Sequence, residues 1–110
     1  MRMWMLPPEI MCRKHLLGEH VEMHMLVGTL QKGISVQGYI DNQLVELEHI
    51  RERHDQLVKE MLHRGYNHKS PLPDYPEVSG GVVDRAENLR DLAGRCPDCR
   101  LRISDAGMKL

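Results

Sequence analysis

CRKHLLGEHVEMHMLVGTLQKG, residues 12–33, decides how this chain folds. Laid out at about 100° per residue, its apolar side chains fall into two sectors. Cys12, Leu16, Met23, Leu26, Val27 and Leu30 share one sector. Leu17, Val21 and Met25 share the other, with Ile10 just upstream. A helix apolar on two sides is expected to be packed on two sides, so the stretch reads as a central helix. His15, Glu19 and Glu22 form a row at i, i+4 and i+7 that overlaps the first sector. Ionised carboxylates placed there must find partners or shift their pKa, because burying an unpaired charge is costly. A carboxylate in that setting is a candidate acid or base.

Working outward, Pro7-Pro8 ends a short apolar segment and opens this helix, which is expected to run to about Gln31 and stop at Gly33. Ile34 to Ile40 alternates weakly and is broken by Gly38, so it reads as a loop. Asp41 or Asn42 caps a second helix to Arg64, closed by Gly65. Leu47, Ile50, His54, Leu57, Val58 and Met61 form its core face, and mixed charge covers the other side. NHKSPLPDYPEVSGG reads as an extended connection. Asp84 caps a third helix to about Gly94, with Ala86, Leu89, Leu92 and Ala93 as its packing side. Cys96-Pro97-Asp98-Cys99 reads as a knuckle-like turn, and the last ten residues as frayed. The fold class expected is all-α: one domain over residues 1–110, with residues 94–110 as a CxxC-containing tail.

A chain of 110 residues has room for one small core. Its net charge of −1 is not the basic balance of a protein held to DNA by bulk electrostatics. The seven His residues add positive charge only below about pH 6.5. Phe is absent and Met plentiful, so the core is expected to be aliphatic and thioether-rich. Three Cys argue against a secreted disulfide framework and for a reducing compartment. No signal peptide or membrane span is read, and a cytoplasmic location is expected.

Two blocks carry a resemblance. HLLGEHVEMHMLVGTLQK (15–32) and LEHIRERHDQLVKEMLHRGYN (47–67) resemble the two long helices of the bacteriophage endonuclease V family, pyrimidine-dimer DNA glycosylases. The spacing from Met1 to His15 is similar without a gap. The resemblance implies a single domain of three helices with the amino terminus threaded between them. It implies a DNA glycosylase with abasic-site lyase activity, acting on double-stranded DNA that carries a damaged base or an abasic site. The nucleophile in that family is the α-amine of the first residue, which attacks C1′, displaces the base and forms a Schiff base. An α-amine suits this because its ordinary pKa of about 7.7–8.0 leaves a useful neutral fraction near pH 7. The register implies Met1 as nucleophile and Glu22 as the catalytic carboxylate, with Arg2 and His15 matching residues beside the substrate. Removal of Met1 ahead of so large a residue as Arg2 is not expected. The resemblance implies no cofactor and no metal, and a monomer without membrane contact is expected. Val21 and Met25 stand where the family has phosphate-gripping arginines, and no aromatic-rich stretch follows. Arg90, Arg95, Arg100 and Arg102 are the remaining source of a local basic patch.

Several groups have plainer readings. Glu19 is expected to pair with Arg2 or Arg51. His20 and His24, at i and i+4, have a spacing that can hold a metal, but without an acid in register they read as surface or core histidines. His54 reads as a satisfied core histidine. Cys96 and Cys99 make half of a zinc knuckle, which Cys12 with His15 or His68 could complete. Two further function classes therefore stand beside the enzyme: a non-catalytic DNA-binding relative, and a His/Cys metal-binding interaction module.

Overall fold

The computed structural model describes residues 1–110 and contains helices and loops only. Its α-helices are α1 (Arg13–Gln31), α2 (Gln37–Asp41), α3 (Ile50–His63), α4 (Arg85–Arg95) and α5 (Pro97–Asp105). Two 3-10 turns, Pro8–Ile10 and Leu47–His49, precede α1 and α3. There are thus five helices where the sequence reading expects three.

The first difference lies at the start of α1. The helix expected from Pro8 is interrupted, with Met11 and Cys12 extended. Arg64 explains the break: its guanidinium binds the Pro8 carbonyl at 3.2 Å and the Met11 carbonyl at 2.7 Å. In a continuous helix those oxygens would accept from residues 12 and 15. The Cys12 N–H donates instead to Cys99 Sγ, at 3.2 Å. At its other end α1 closes as expected, with Gly33 in the left-handed region at φ 70°.

The two-sided packing of α1 is a second correction. Leu16, Met23, Leu26 and Val27 are buried as expected, but Val21 is 53% and Met25 51% exposed. One face of α1 packs against α3; in the second sector Ile10 is buried and Leu17 half-buried against the core, and Val21 and Met25 are open to solvent.

In α3 the buried residues are Ile50, Arg53, His54, Leu57 and Met61. This is the expected stripe with one charged residue inside it. Residues 34–40, expected to be a loop, enter α2, a short turn tied by Gln37 Nε2 to Asp41 Oδ1 at 2.8 Å; Asp41 and Asn42 close that turn instead of capping the second helix, which begins only at Ile50, behind the 3-10 turn. The connection after α3 is extended as expected and returns along residues 44–48. There the Leu47 N–H donates to the Gly80 carbonyl, and the Val83 N–H to Glu46 Oε2. Gly81 is required at this crossing: its φ is 89°, and a Cβ would sit 2.1 Å from the Val45 carbonyl oxygen.

Asp84 caps α4 as expected, its Oδ1 accepting from the Glu87 N–H at 3.0 Å. Leu89, Leu92 and Ala93 are buried, whereas Ala86 is exposed and Asn88 takes a buried place. The tail is helical as far as Asp105, which includes half of the stretch read as frayed: Pro97 occupies the first turn of α5, and Cys99 with Ile103 makes its buried i, i+4 pair. No helix is long and apolar enough to cross a membrane.

Candidate active site

Met1 to Pro7 packs on the core as an irregular segment and runs into the 3-10 turn Pro8–Ile10, with Met3, Trp4, Leu6, Ile10 and Met11 buried. Each turn of its path is fixed by a polar contact. The Arg2 N–H donates to Glu22 Oε2 at 3.2 Å. The Met3 N–H donates to the Leu44 carbonyl at 2.7 Å. Asn88 Nδ2 donates to the Trp4 carbonyl at 3.0 Å, and Arg53 Nη1 to the Leu6 carbonyl at 2.6 Å. Met5, at φ 56°, makes the bend between the last two anchors.

The structure brings Met1, Arg2 and Glu22 together. Glu22 is half-buried on α1, and its direct partner is the Arg2 N–H, one peptide unit from the α-amine. Burial raises the Glu22 carboxyl above its ordinary value. The Arg2 N–H and the positive charge of the terminal ammonium act the other way without cancelling that effect, and Glu19 adds to it. A half-desolvated carboxylate beside an amine can hold positive charge and relay a proton.

Glu19 has the buried partner that its position requires, but the partner is Arg53, not Arg2 or Arg51. Arg53 Nε and Nη2 bind the two Glu19 oxygens at 2.6 and 2.9 Å, and both residues are 1% exposed. The two-pronged pair neutralises Glu19, leaving Glu22 as the carboxylate of this row without an arginine fork.

Arg2 turns away from solvent. Its Nη2 binds Asn88 Oδ1 at 2.7 Å and Asp91 Oδ2 at 2.8 Å, and its guanidinium lies 3.7 Å from the centre of the Trp4 ring. Asn88 and Asp91 therefore hold the terminal segment from α4, and nothing in the sequence pattern of α4 distinguishes Asn88 from a surface polar residue.

His15 is placed differently. Its Nδ1 lies 3.2 Å from Cys12 Sγ and 3.6 Å from Cys99 Sγ, and its ring meets Trp4 edge-on. Burial, with Lys14 and Arg95 nearby, lowers its pKa and favours the neutral ring. The Cys12, His15, Cys96 and Cys99 donor atoms all lie within 4.8 Å of one another. Burial pushes the Cys99 thiol up to about 12. A second group of the same compactness joins His20, His24, His54 and His68.

The carboxy-terminal arginines are exposed, and three of the four have partners. Arg90 pairs with Glu87, Arg95 with Asp91, and Arg102 reaches the Glu9 carbonyl. The largest surface depression, about 710 Å³, lies between the first 3-10 turn and α5, lined by Glu9, Arg13, Asp98 and Arg102 among others. Neither Met1 nor Glu22 borders it, and both are half-buried.

The sequence pattern of the pyrimidine dimer DNA glycosylase family matches residues 1–74. The chain belongs to that family. The activity that goes with membership is that of a DNA glycosylase directed at pyrimidine dimers. The matched span of this glycosylase contains Met1, Glu22, the Glu19–Arg53 pair and all four clustered histidines. Residues 75–110, outside the match, supply Asn88 and Asp91 to Arg2, and Cys96 and Cys99 to the thiol cluster. No individual curated protein and no solved structure matches the chain.

Proposed function

We propose that this glycosylase also cleaves the strand, as an abasic-site lyase, with the Met1 α-amine as nucleophile and Glu22 as its carboxylate. The supporting observation is the Arg2 N–H bond to Glu22, which holds the first peptide unit against the α1 carboxylate. In this reading the terminal segment is threaded among the helices so that its amine reaches DNA while its side chains stay in the core.

The amine lone pair forms a bond to C1′ as the C1′–N glycosidic bond breaks. The base leaves with that electron pair and takes up a proton. Glu22 stabilises the positive charge that develops on the sugar and takes the proton lost by the amine. The ring oxygen then departs with the C1′–O bond pair and is protonated, which gives the Schiff base. Loss of a C2′ proton expels the 3′ phosphate and nicks the strand. Raising Glu22 by burial moves it toward the range in which it can exchange protons near neutral pH. The DNA is held with few phosphate contacts: Val21 and Met25, exposed beside Glu22, make this face apolar, and of the four exposed arginines at 90, 95, 100 and 102 only the Arg100 guanidinium has no protein partner.

Borohydride trapping tests the reading. Wild type, Glu22→Gln and a form with an uncleaved amino-terminal tag are incubated with dimer-containing and abasic duplexes. Wild type should trap on both. Glu22→Gln should lose base release by several orders of magnitude while keeping part of its trapping on abasic DNA. The tagged form should trap on neither. Covalent trapping by the tagged form would transfer the nucleophile to a lysine. Binding of damaged duplex without trapping by any form would favour a non-catalytic DNA-binding relative.

A further inference from the structure

We propose that the Cys12, His15, Cys96 and Cys99 cluster is a structural zinc site that joins the start of α1 to the α4–α5 junction. A tetrahedral zinc, with bonds of about 2.3 Å to sulfur and about 2.0–2.1 Å to nitrogen, needs S–S edges of about 3.8 Å and S–N edges of about 3.6 Å. The structure has Cys12 Sγ and Cys96 Sγ at 3.8 Å, Cys99 Sγ and His15 Nδ1 at 3.6 Å, and Cys12 Sγ and His15 Nδ1 at 3.2 Å. All three thiols are buried and free, and one disulfide would strand the third. Backbone N–H groups already point at the sulfurs, from Cys12 to Cys99 Sγ and from Cys99 to Cys96 Sγ, as thiolate ligands require. Four protein donors close the shell, which makes the ion structural. It would lock α4, the helix that carries Asn88 and Asp91, onto α1, and so fix the Arg2 anchor.

A different observation points to a second site. The Nε2 atoms of His20, His24, His54 and His68 are all buried without a hydrogen-bond partner. They converge within 4.8 Å, with neighbouring ring centres 4.9–5.3 Å apart. Imidazoles on one tetrahedral ion, with bonds of about 2.0–2.1 Å, place their ring centres about 5 Å apart. The His54 ring is oriented for this by Asp55, whose Oδ1 lies 3.1 Å from Nδ1 and leaves the Nε2 lone pair facing the cluster. Buried polar atoms go unpaired rarely, and four aimed at one point fit a borderline divalent ion such as zinc. This site would pin the segment after α3, through His68, to α1 and α3.

Both sites are tested on the full chain, expressed in zinc-replete medium and purified under reductant without chelator. Native mass spectrometry and elemental analysis should give two zinc per chain, falling to one in Cys99→Ser and one in His68→Gln. Cobalt(II) exchanged into the protein should show thiolate charge-transfer absorption, retained in His68→Gln. Should Cys99→Ser fail to fold, the cobalt spectrum of the wild type decides the thiol site by itself. A folded, reduced wild type that neither carries nor takes up metal overturns both assignments. A single zinc insensitive to His68→Gln, with cobalt–thiolate absorption, overturns the four-histidine site. A single zinc lost in His68→Gln, without that absorption, overturns the thiol site.

Discussion

Replacing Arg53 with Met is expected to strip the amino-terminal segment of its deepest anchor. The guanidinium is 1% exposed and makes two bonds to the equally buried Glu19 and one to the Leu6 carbonyl. Removing it leaves a buried carboxylate without a countercharge, a loss of about 3–5 kcal/mol. Unfolding entropy of about 2.1 cal/mol/K per residue amounts to about 0.23 kcal/mol/K over 110 residues, so Tm should fall by about 13–22 °C. Adding Glu19→Leu removes the stranded charge, so the double variant should recover most of the loss. It should remain about 1–3 kcal/mol below wild type, because the Leu6 carbonyl stays unpaired. Urea denaturation at pH 7 of wild type, both singles and the double closes the cycle. An Arg53→Met loss under about 1 kcal/mol would refute the buried-charge reasoning. So would a double variant no more stable than the worse single.

Two further outcomes follow from the same geometry. The folded-state pKa of Glu22 is raised, so its stabilising contribution is fully present below its unfolded value, about 4.3–4.5, and is lost as pH rises through the folded value. The stability of Glu22→Gln relative to wild type should therefore rise between about pH 4 and pH 7, and a relative stability that falls over this range in parallel denaturation curves would contradict the assignment. Asn88→Leu removes the bonds to the Trp4 carbonyl and the Arg2 guanidinium. It should cost about 1–3 kcal/mol and weaken borohydride trapping while Asp84→Ala, which cuts only the α4 cap, costs about 1 kcal/mol and leaves trapping at its wild-type level.

The sequence by itself determined what depends on near neighbours along the chain. The buried stripes of α1 and α3 follow from 3.6-residue periodicity, the Gly33 and Gly65 stops from their positive φ, and the Asp84 cap from a side chain that reaches the Glu87 N–H. The family was legible too, because both helical blocks and their distance from Met1 are local patterns. What tertiary structure decided are pairings across long separations. Glu19 must have a cation, but Arg53 meets it 34 residues away only because α1 and α3 pack in one register. The break before Arg13 depends on Arg64 capturing carbonyls 53 and 56 residues behind it. Two halves of a knuckle, Cys12-x-x-His15 and Cys96-x-x-Cys99, are ambiguous apart and become one tetrahedral set when α5 returns to α1. His20 and His24 read as plain helix histidines until His54 and His68 arrive from other elements. Donor sets, unlike helices, are assembled from distant residues, and periodicity carries no information about which distant residue comes to rest beside which.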